Sequence, residues 1–305
     1  MSRLLLPLPG NESFAKKLAA EGDFTMVAAA FHRFPDGEVH VRVDAEVAGC
    51  PVDLVCALSD ADSHFLTLAF VADALRDLGA SAVNLVAPYL CYMRQDTRFR
   101  PGEAVTSRTF ARLLDSVVDR MVTIDPHLHR IARLSDLYRI PCQVVNAAPA
   151  IGRWVRDQVT APLIIGPDSE SEPWAAQIAA EAGAPYAVFS KVRLGDREVR
   201  LTAPDLTAFA GCQPVLVDDI ASTGRTLVAA GETLLAMGFP PPVGIVVHAL
   251  FVGDALDRVQ AVCVRVVSTD TLQHVTNAIS VAPLIARVLT DDAIGVADHD
   301  GAQST

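Results

Sequence analysis

The stretch Pro214–Thr226, PVLVDDIASTGRT, decides how the rest of the chain is read. An apolar run, Val215–Val217, leads into two adjacent carboxylates, Asp218 and Asp219. Small and hydroxylated residues follow, Ser222-Thr223-Gly224, then Arg225-Thr226 and a segment with helical spacing as far as Met237. A strand that turns through such a loop into a helix makes an anion site, because loop N–H groups and the positive helix end face the ligand. In parallel α/β sheets that site lies outside the carboxyl ends of the strands. Hydroxyls at Ser222, Thr223 and Thr226 add donors for a phosphate, and Gly224 lets the backbone come close. The two carboxylates sit where sugar hydroxyls, or a metal bridging to them, can be held. A single Asp would read as an ordinary helix N-cap. Two acids with four further matching positions point to a sugar-phosphate site.

Outward from this stretch, short apolar runs alternate with amphipathic ones. Val52–Leu58, Ala82–Ala87 and Met121–Ile124 read as strands, with helices over Ser63–Leu78 and Thr106–Val118. The pattern restarts after Asn146. Helices are expected over Ile151–Gln158, Pro173–Ala182, Thr226–Met237 and Val281–Val288. Strands are expected over Leu163–Ile165, Tyr186–Phe189, Val215–Val217, Val243–Ala249 and Val262–Val267. This alternation implies mostly parallel sheets flanked by helices. The expected organisation is α/β with two tandem units, 1–146 and 147–290, followed by a polar, acidic tail, 291–305.

The chain has 305 residues, a net charge of −11 and a pI near 5.1, which argues against nucleic acid or an anionic membrane as partner. The six cysteines are scattered without a C-x-x-C pair, so neither a disulfide framework nor a zinc site is read. The first ten residues make a poor signal peptide and no apolar run is long enough to span a bilayer. A cytoplasmic protein is expected.

Three other segments narrow the function. Phe34-Pro35-Asp36-Gly37-Glu38 follows Arg33. Tyr92-Met93-Arg94-Gln95-Asp96 leads to Arg98 and Gly102-Glu103. Lys191-Val192-Arg193 opens KVRLGDREV. With Pro214–Thr226, which resembles the phosphate loop of the type I phosphoribosyltransferase fold, these segments resemble the signatures of ribose-phosphate pyrophosphokinases, from about Arg33 to Leu289. The resemblance implies two tandem type I phosphoribosyltransferase-like domains, the first without a working phosphate loop. It implies transfer of the β,γ-diphosphoryl group of ATP to the C1 hydroxyl of ribose 5-phosphate, giving phosphoribosyl pyrophosphate and AMP, with Mg2+.

By the same resemblance, Asp218 and Asp219 would hold ribose, and Ser222, Thr223, Gly224, Arg225 and Thr226 would cradle the 5-phosphate. Lys191 and Arg193 would be the catalytic pair on a mobile flap, with Gly195 permitting its motion. Arg94, Gln95, Asp96, Arg98, Phe34, Asp36, Gly37, Glu38 and His127 would bind ATP. The 34–38 segment would come from a neighbouring subunit, so a homodimer or larger homo-oligomer with a shared nucleotide site is expected. His127 and Asp168 would be linked to the metal. His127 also admits a reading as part of a polar loop, and His129 stays open. Electrostatics fits these roles: phosphoryl transfer needs positioning and neutralisation of spreading charge, and magnesium takes oxygen ligands together with substrate phosphates.

The sequence departs from the family's pattern in four places. Pro126 stands where a leucine is usual between acid and histidine. Ser169-Glu170-Ser171 replaces an Ala-Gly-Gly run after Pro167-Asp168. Thr97 replaces a basic residue, and Arg225 a small one. These leave other pentose phosphates open as substrates. A nucleobase phosphoribosyltransferase and a non-catalytic regulatory subunit are the competing readings. The first is opposed by the Asp36–Glu38 and Arg94-Gln95 segments, the second by the intact acidic loop and flap cations.

Overall fold

The computed structural model describes residues 3–128, 130–193 and 199–291, the side chains of 191–193 and 199–201 excepted. His129, Gly195 and the tail from 292 lie outside the described residues. The first half runs β1 (Arg3–Pro7), α1 (Glu12–Ala19), β2 (Phe24–Met26), β3 (Ala29–Arg33), β4 (Val39–Val43), β5 (Pro51–Val55), α2 (Ala61–Asp77), β6 (Ala82–Ala87), α3 (Thr106–Asp115), β7 (Arg120–Ile124), β8 (Cys142–Val145) and α4 (Ala148–Gln158). The second runs β9 (Pro162–Gly166), α5 (Glu172–Ala182), β10 (Tyr186–Val188), β11 (Ser190–Arg193), β12 (Val199–Thr202), β13 (Gln213–Ala221), α6 (Arg225–Ala236), β14 (Val243–Ala249), α7 (Ala255–Gln260), β15 (Arg265–Thr269), β16 (Asn277–Ile279) and α8 (Ala282–Asp291).

The halves repeat one another. The first sheet has strand order β2-β1-β5-β6-β7-β8 and the second β10-β9-β13-β14-β15-β16, with all pairs parallel. Each half inserts one antiparallel hairpin at the same point, β3–β4 in the first and β11–β12 in the second. The expected α/β architecture is therefore present twice.

The buried central strands are near-continuous Val, Ile and Leu runs, as strands covered on both faces require. One apolar cluster joins the halves: Phe14, Leu18, Val122 and Ile151 meet Ile164, Ile178, Ile245 and Ile285. Two further clusters cover the outer faces of the two sheets. Burying each such side chain contributes roughly 1.5–3 kcal/mol. Across the join α4 packs on α5, and its repeat counterpart α8 packs on α1. A Cβ at Gly152 of α4 would stand 2.3 Å from Glu181 Cβ on α5, so glycine sets how closely those helices approach.

Strand β13 differs from its expected form. It continues to Ala221, pairing Ile220 with His248 and Ala221 with Ala249, so the acid pair lies within the ladder rather than after it. The short strands β1, β2, β8 and β16 and helix α7 carry too little periodic signal to be read from sequence.

Candidate active site

The carboxyl ends of β7, β9 and β13 open on one cleft of about 980 Å³ between the halves. Its wall includes Arg94 and His127 from the first half and Asp168, Asp218, Asp219 and residues 222–226 from the second. The four segments that supply these residues are far apart in sequence and are joined by topology alone.

The acid pair is asymmetric. Asp219 Oδ2 lies 2.6 Å from His127 Nδ1, an ion pair across the two halves. That hydrogen bond raises the His127 imidazole above its usual value, against a lowering effect of burial. Burial pushes Asp219 up, but the His127 contact, the His248 charge and the Ile220 N–H together draw it below the usual carboxylate value. Asp218 accepts the Asp219 N–H at 3.1 Å. Its carboxyl is pushed well up by loss of solvent, then by the charges of Asp219 and Asp168. The site therefore holds excess acidity that a cationic ligand would relieve.

The loop after β13 is pinned from behind. Ala221 O accepts the N–H groups of Leu250 (3.1 Å) and Phe251 (2.8 Å), and Ser222 O accepts that of Val252 (2.9 Å). Arg258 donates to Thr223 O at 3.1 Å. Gly224 has φ +67°, and a Cβ there would stand 2.7 Å from Val259 Cγ2 and 3.3 Å from Ala255 O. The close approach to α7 by itself requires glycine here. Helix α6 then opens at Arg225 with no side-chain cap, which leaves its first N–H groups facing the cleft, as at phosphate-binding helix starts.

Ser169–Ser171 forms one 3-10 turn leading into α5. Asp168 Oδ1 accepts the Ser171 N–H at 3.2 Å, and Ser171 Oγ donates to Asp168 O at 2.5 Å. No residue from 167 to 172 has a positive φ, so the run does without the family's glycines. The serine hydroxyl closes the turn that glycines would otherwise shape.

Other expected residues lie away from the cleft wall within this chain. Phe34, Asp36, Gly37 and Glu38 form the exposed tip of the β3–β4 hairpin, closed by Phe34 N–H to Glu38 O at 2.8 Å with Gly37 at φ +95°. Gln95 Oε1 accepts the Thr106 hydroxyl at 3.1 Å. The buried Asp96 carboxylate accepts from Arg130 N at 3.0 Å and Arg130 Nη1 at 3.1 Å. Arg98 Nε donates to Glu103 O at 2.8 Å. These four bonds shape the 94–106 loop that presents Arg94. Lys191 and Arg193 lie on β11, paired with Leu201 and Val199 of β12, and their side chains are outside the described residues.

The repeat supplies an internal control. The equivalent place in the other half is a cavity of about 380 Å³ lined by Asn11, Lys17, Ala57 and Asp270 among others. Asp270 takes the Val281 N–H at 2.8 Å, as Asp125 takes that of Ala147 at 2.8 Å. There, however, Lys17 neutralises Asp270 at 2.7 Å, and Cys56–Asp60 offers neither an acid pair nor a Ser-Thr-Gly run. Sequence reasoning also missed Asp125 and Trp174 of the cleft wall. An Asp after a strand and a Trp in a first helical turn are too common to single out.

Residues 4–117 match the N-terminal domain of ribose phosphate pyrophosphokinase, and residues 135–284 match the phosphoribosyl transferase domain. The ribose-phosphate pyrophosphokinase of Methanothermobacter thermautotrophicus is 33% identical over 94% of this chain and 100% of its own length. That of Methanopyrus kandleri is 32% identical over 94% of this chain and 98% of its own. The crystal structure of phosphoribosylpyrophosphate synthetase from Mycobacterium smegmatis superposes with a TM-score of 0.83 over 96% of this chain and 99% of that one, at 23% identity. It shows the same fold.

Proposed function

The chain belongs to the ribose-phosphate pyrophosphokinase family, and from that premise we propose how its residues divide the work. The reaction transfers the β,γ-diphosphoryl group of ATP to the C1 hydroxyl of ribose 5-phosphate, giving phosphoribosyl pyrophosphate and AMP. The observation that carries the assignment of roles is the convergence of Arg94 and His127 with the acid pair and residues 222–226 on one cleft.

In our reading the start of α6, with the hydroxyls of Ser222, Thr223 and Thr226 and the Arg225 cation, holds the 5-phosphate. Asp218 and Asp219 take the ribose hydroxyls at the end of the pinned strand. Arg94 and His127 face the ATP phosphates from the opposite wall. The C1 oxygen then attacks the β-phosphorus, the bond to the α–β bridging oxygen breaks, and AMP leaves. Lys191 and Arg193, two residues apart on the flap strand, supply cations for charge that spreads over the transferred group.

Among the described residues, no three His, Cys, Asp or Glu side chains cluster closely enough to cage a metal. The oxygen-rich, over-acidic wall of Asp168, Asp218 and Asp219 still fits Mg2+ shared with substrate phosphates. When bound, Mg2+ would offset phosphate charge at the reacting group.

The exposed 34–38 tip supports donation to a neighbouring subunit's nucleotide site, and hence a homodimer or larger assembly. No helix among the described residues is long and apolar enough to cross a membrane, which supports a cytoplasmic location. The expected boundary at 146/147 falls between β8 and α4; because α4 has its repeat counterpart in α8, we divide the chain after α4, before β9. Product analysis tests the reaction: AMP is expected, and ADP would contradict diphosphoryl transfer.

A further inference from the structure

His248, on the central strand β14, is 1% exposed and lies outside the cleft wall. Its Nε2 is 3.1 Å from the carbonyl oxygen of Asp125, and its Nδ1 is 3.0 Å from Thr271 Oγ1. A carbonyl only accepts, so the proton is on Nε2. Burial drives the imidazole down to about 4, so the ring is neutral and Nδ1 is an acceptor. The Thr271 hydroxyl must then donate to Nδ1. Val247 O, 2.9 Å from that hydroxyl, is served instead by Thr269 Oγ1 at 2.7 Å. The chain Thr271 to His248 to Asp125 thus has one direction and one tautomer. The Tyr89 ring meets His248 edge-on, centroids 5.0 Å apart, and limits its rotation.

The carbonyl it holds belongs to the Asp125–Pro126 peptide. Proline brings no N–H, so that oxygen is the only polar handle on this peptide, one residue before the Pro126–His127 peptide. Asp125 has φ +31°, costly for a residue with a Cβ and more so before proline. Its N–H donates to Val145 O at 3.1 Å, its Oδ2 accepts the Ala147 N–H at 2.8 Å, and Trp174 of α5 also faces its carboxylate. His248 thus holds this turn's backbone carbonyl from the second half, alongside the Asp219 contact to the His127 side chain.

We propose that His248 is a positioning residue for diphosphoryl transfer: by holding the Asp125 carbonyl, it sets the direction in which His127 enters the cleft. The inference rests on the reading of His127 as a contact to the ATP phosphates.

The test is a kinetic double-mutant cycle on the full chain with Mg-ATP and ribose 5-phosphate varied separately. His248→Leu removes the donor and should lower kcat/KM for Mg-ATP on the order of tenfold, the scale of one lost positioning hydrogen bond. KM for ribose 5-phosphate should stay within about twofold. His248→Gln, whose amide N–H can reach the carbonyl, should recover most of the loss. In a His127→Ala background, His248→Leu should cost nothing further. Full additivity of the two losses, or an equal rise in both KM values without rescue by Gln, would overturn the proposal. Unchanged kinetics of His127→Ala alone would instead overturn the role given to His127. Should His248→Leu fail to fold, Thr271→Val, which removes the hydrogen bond that selects the tautomer, takes its place in the cycle: a loss that vanishes in the His127→Ala background is expected, and full additivity would overturn the proposal.

Discussion

His127 Nδ1 lies 2.6 Å from Asp219 Oδ2, so one ion pair ties the first half's β7 loop to the second half's acidic strand inside the cleft. The pair joins the side expected to hold ATP to the side expected to hold ribose. Binding of both substrates must therefore compete with it or use it.

The titration of His127 is the direct probe of that pair. Its folded value is raised chiefly by the Asp219 hydrogen bond, so the pair's contribution to stability is complete below the unfolded histidine value of 6.5 and is lost as pH rises through the folded one. On the acid side it is lost again as pH falls through the lowered value of Asp219. In Asp219→Asn the carboxylate charge that raises His127 goes, while burial and Arg94 still lower its value and Glu170 still raises it. The NMR midpoint of His127 should then fall. A midpoint that stays raised would mean the pair does not form in solution.

Asp218 behaves in the opposite sense. Loss of solvent and two neighbouring carboxylates raise its value, so between 3.8 and the folded value its burial costs more stability as pH rises. Asp218→Asn keeps the shape and removes the charge. The melting temperature at pH 7 should hold or rise, while KM for ribose 5-phosphate rises by an order of magnitude or more. A loss confined to ATP affinity would contradict the ribose role.

Much of this is legible in the chain, for reasons that differ by element. The central strands β6 and β14 are long apolar runs between breakers, and their expected and observed bounds coincide. Edge strands such as β2 and β16, of three residues each, exist because a neighbouring strand supplies their ladder, and no local pattern encodes that. Pro214–Thr226 is readable because its chemistry is contiguous. The direct His127–Asp219 contact spans 92 positions and is not. That Gly224 is also crowded by Val259, a residue of the following helical unit, is not encoded locally.

Gly224→Ala probes that contact. A left-handed alanine costs about 1–2 kcal/mol, and its Cβ would meet Val259 Cγ2 at 2.7 Å. The loop must shift away from α7, so the melting temperature should fall and KM for ribose 5-phosphate rise. Adding Val259→Ala should recover part of both. An unaltered KM in the single variant would show that the loop's seat on α7 is irrelevant to sugar-phosphate binding.

On the proposed assignment of Lys191 and Arg193 to the reacting group rather than the sugar phosphate, Lys191→Ala and Arg193→Ala each should lower kcat by orders of magnitude while KM for ribose 5-phosphate changes modestly. Steady-state rates at saturating substrates check this. Near-normal turnover in either variant would remove that residue from the chemistry.

The most direct test of the central claim is to incubate the purified chain with ATP, magnesium and ribose 5-phosphate and identify both products. The account predicts AMP and phosphoribosyl pyrophosphate in equal amounts, with formation of both dependent on the sugar phosphate. ADP with a singly phosphorylated sugar would contradict it, because the cleft would then be transferring one phosphoryl group rather than two.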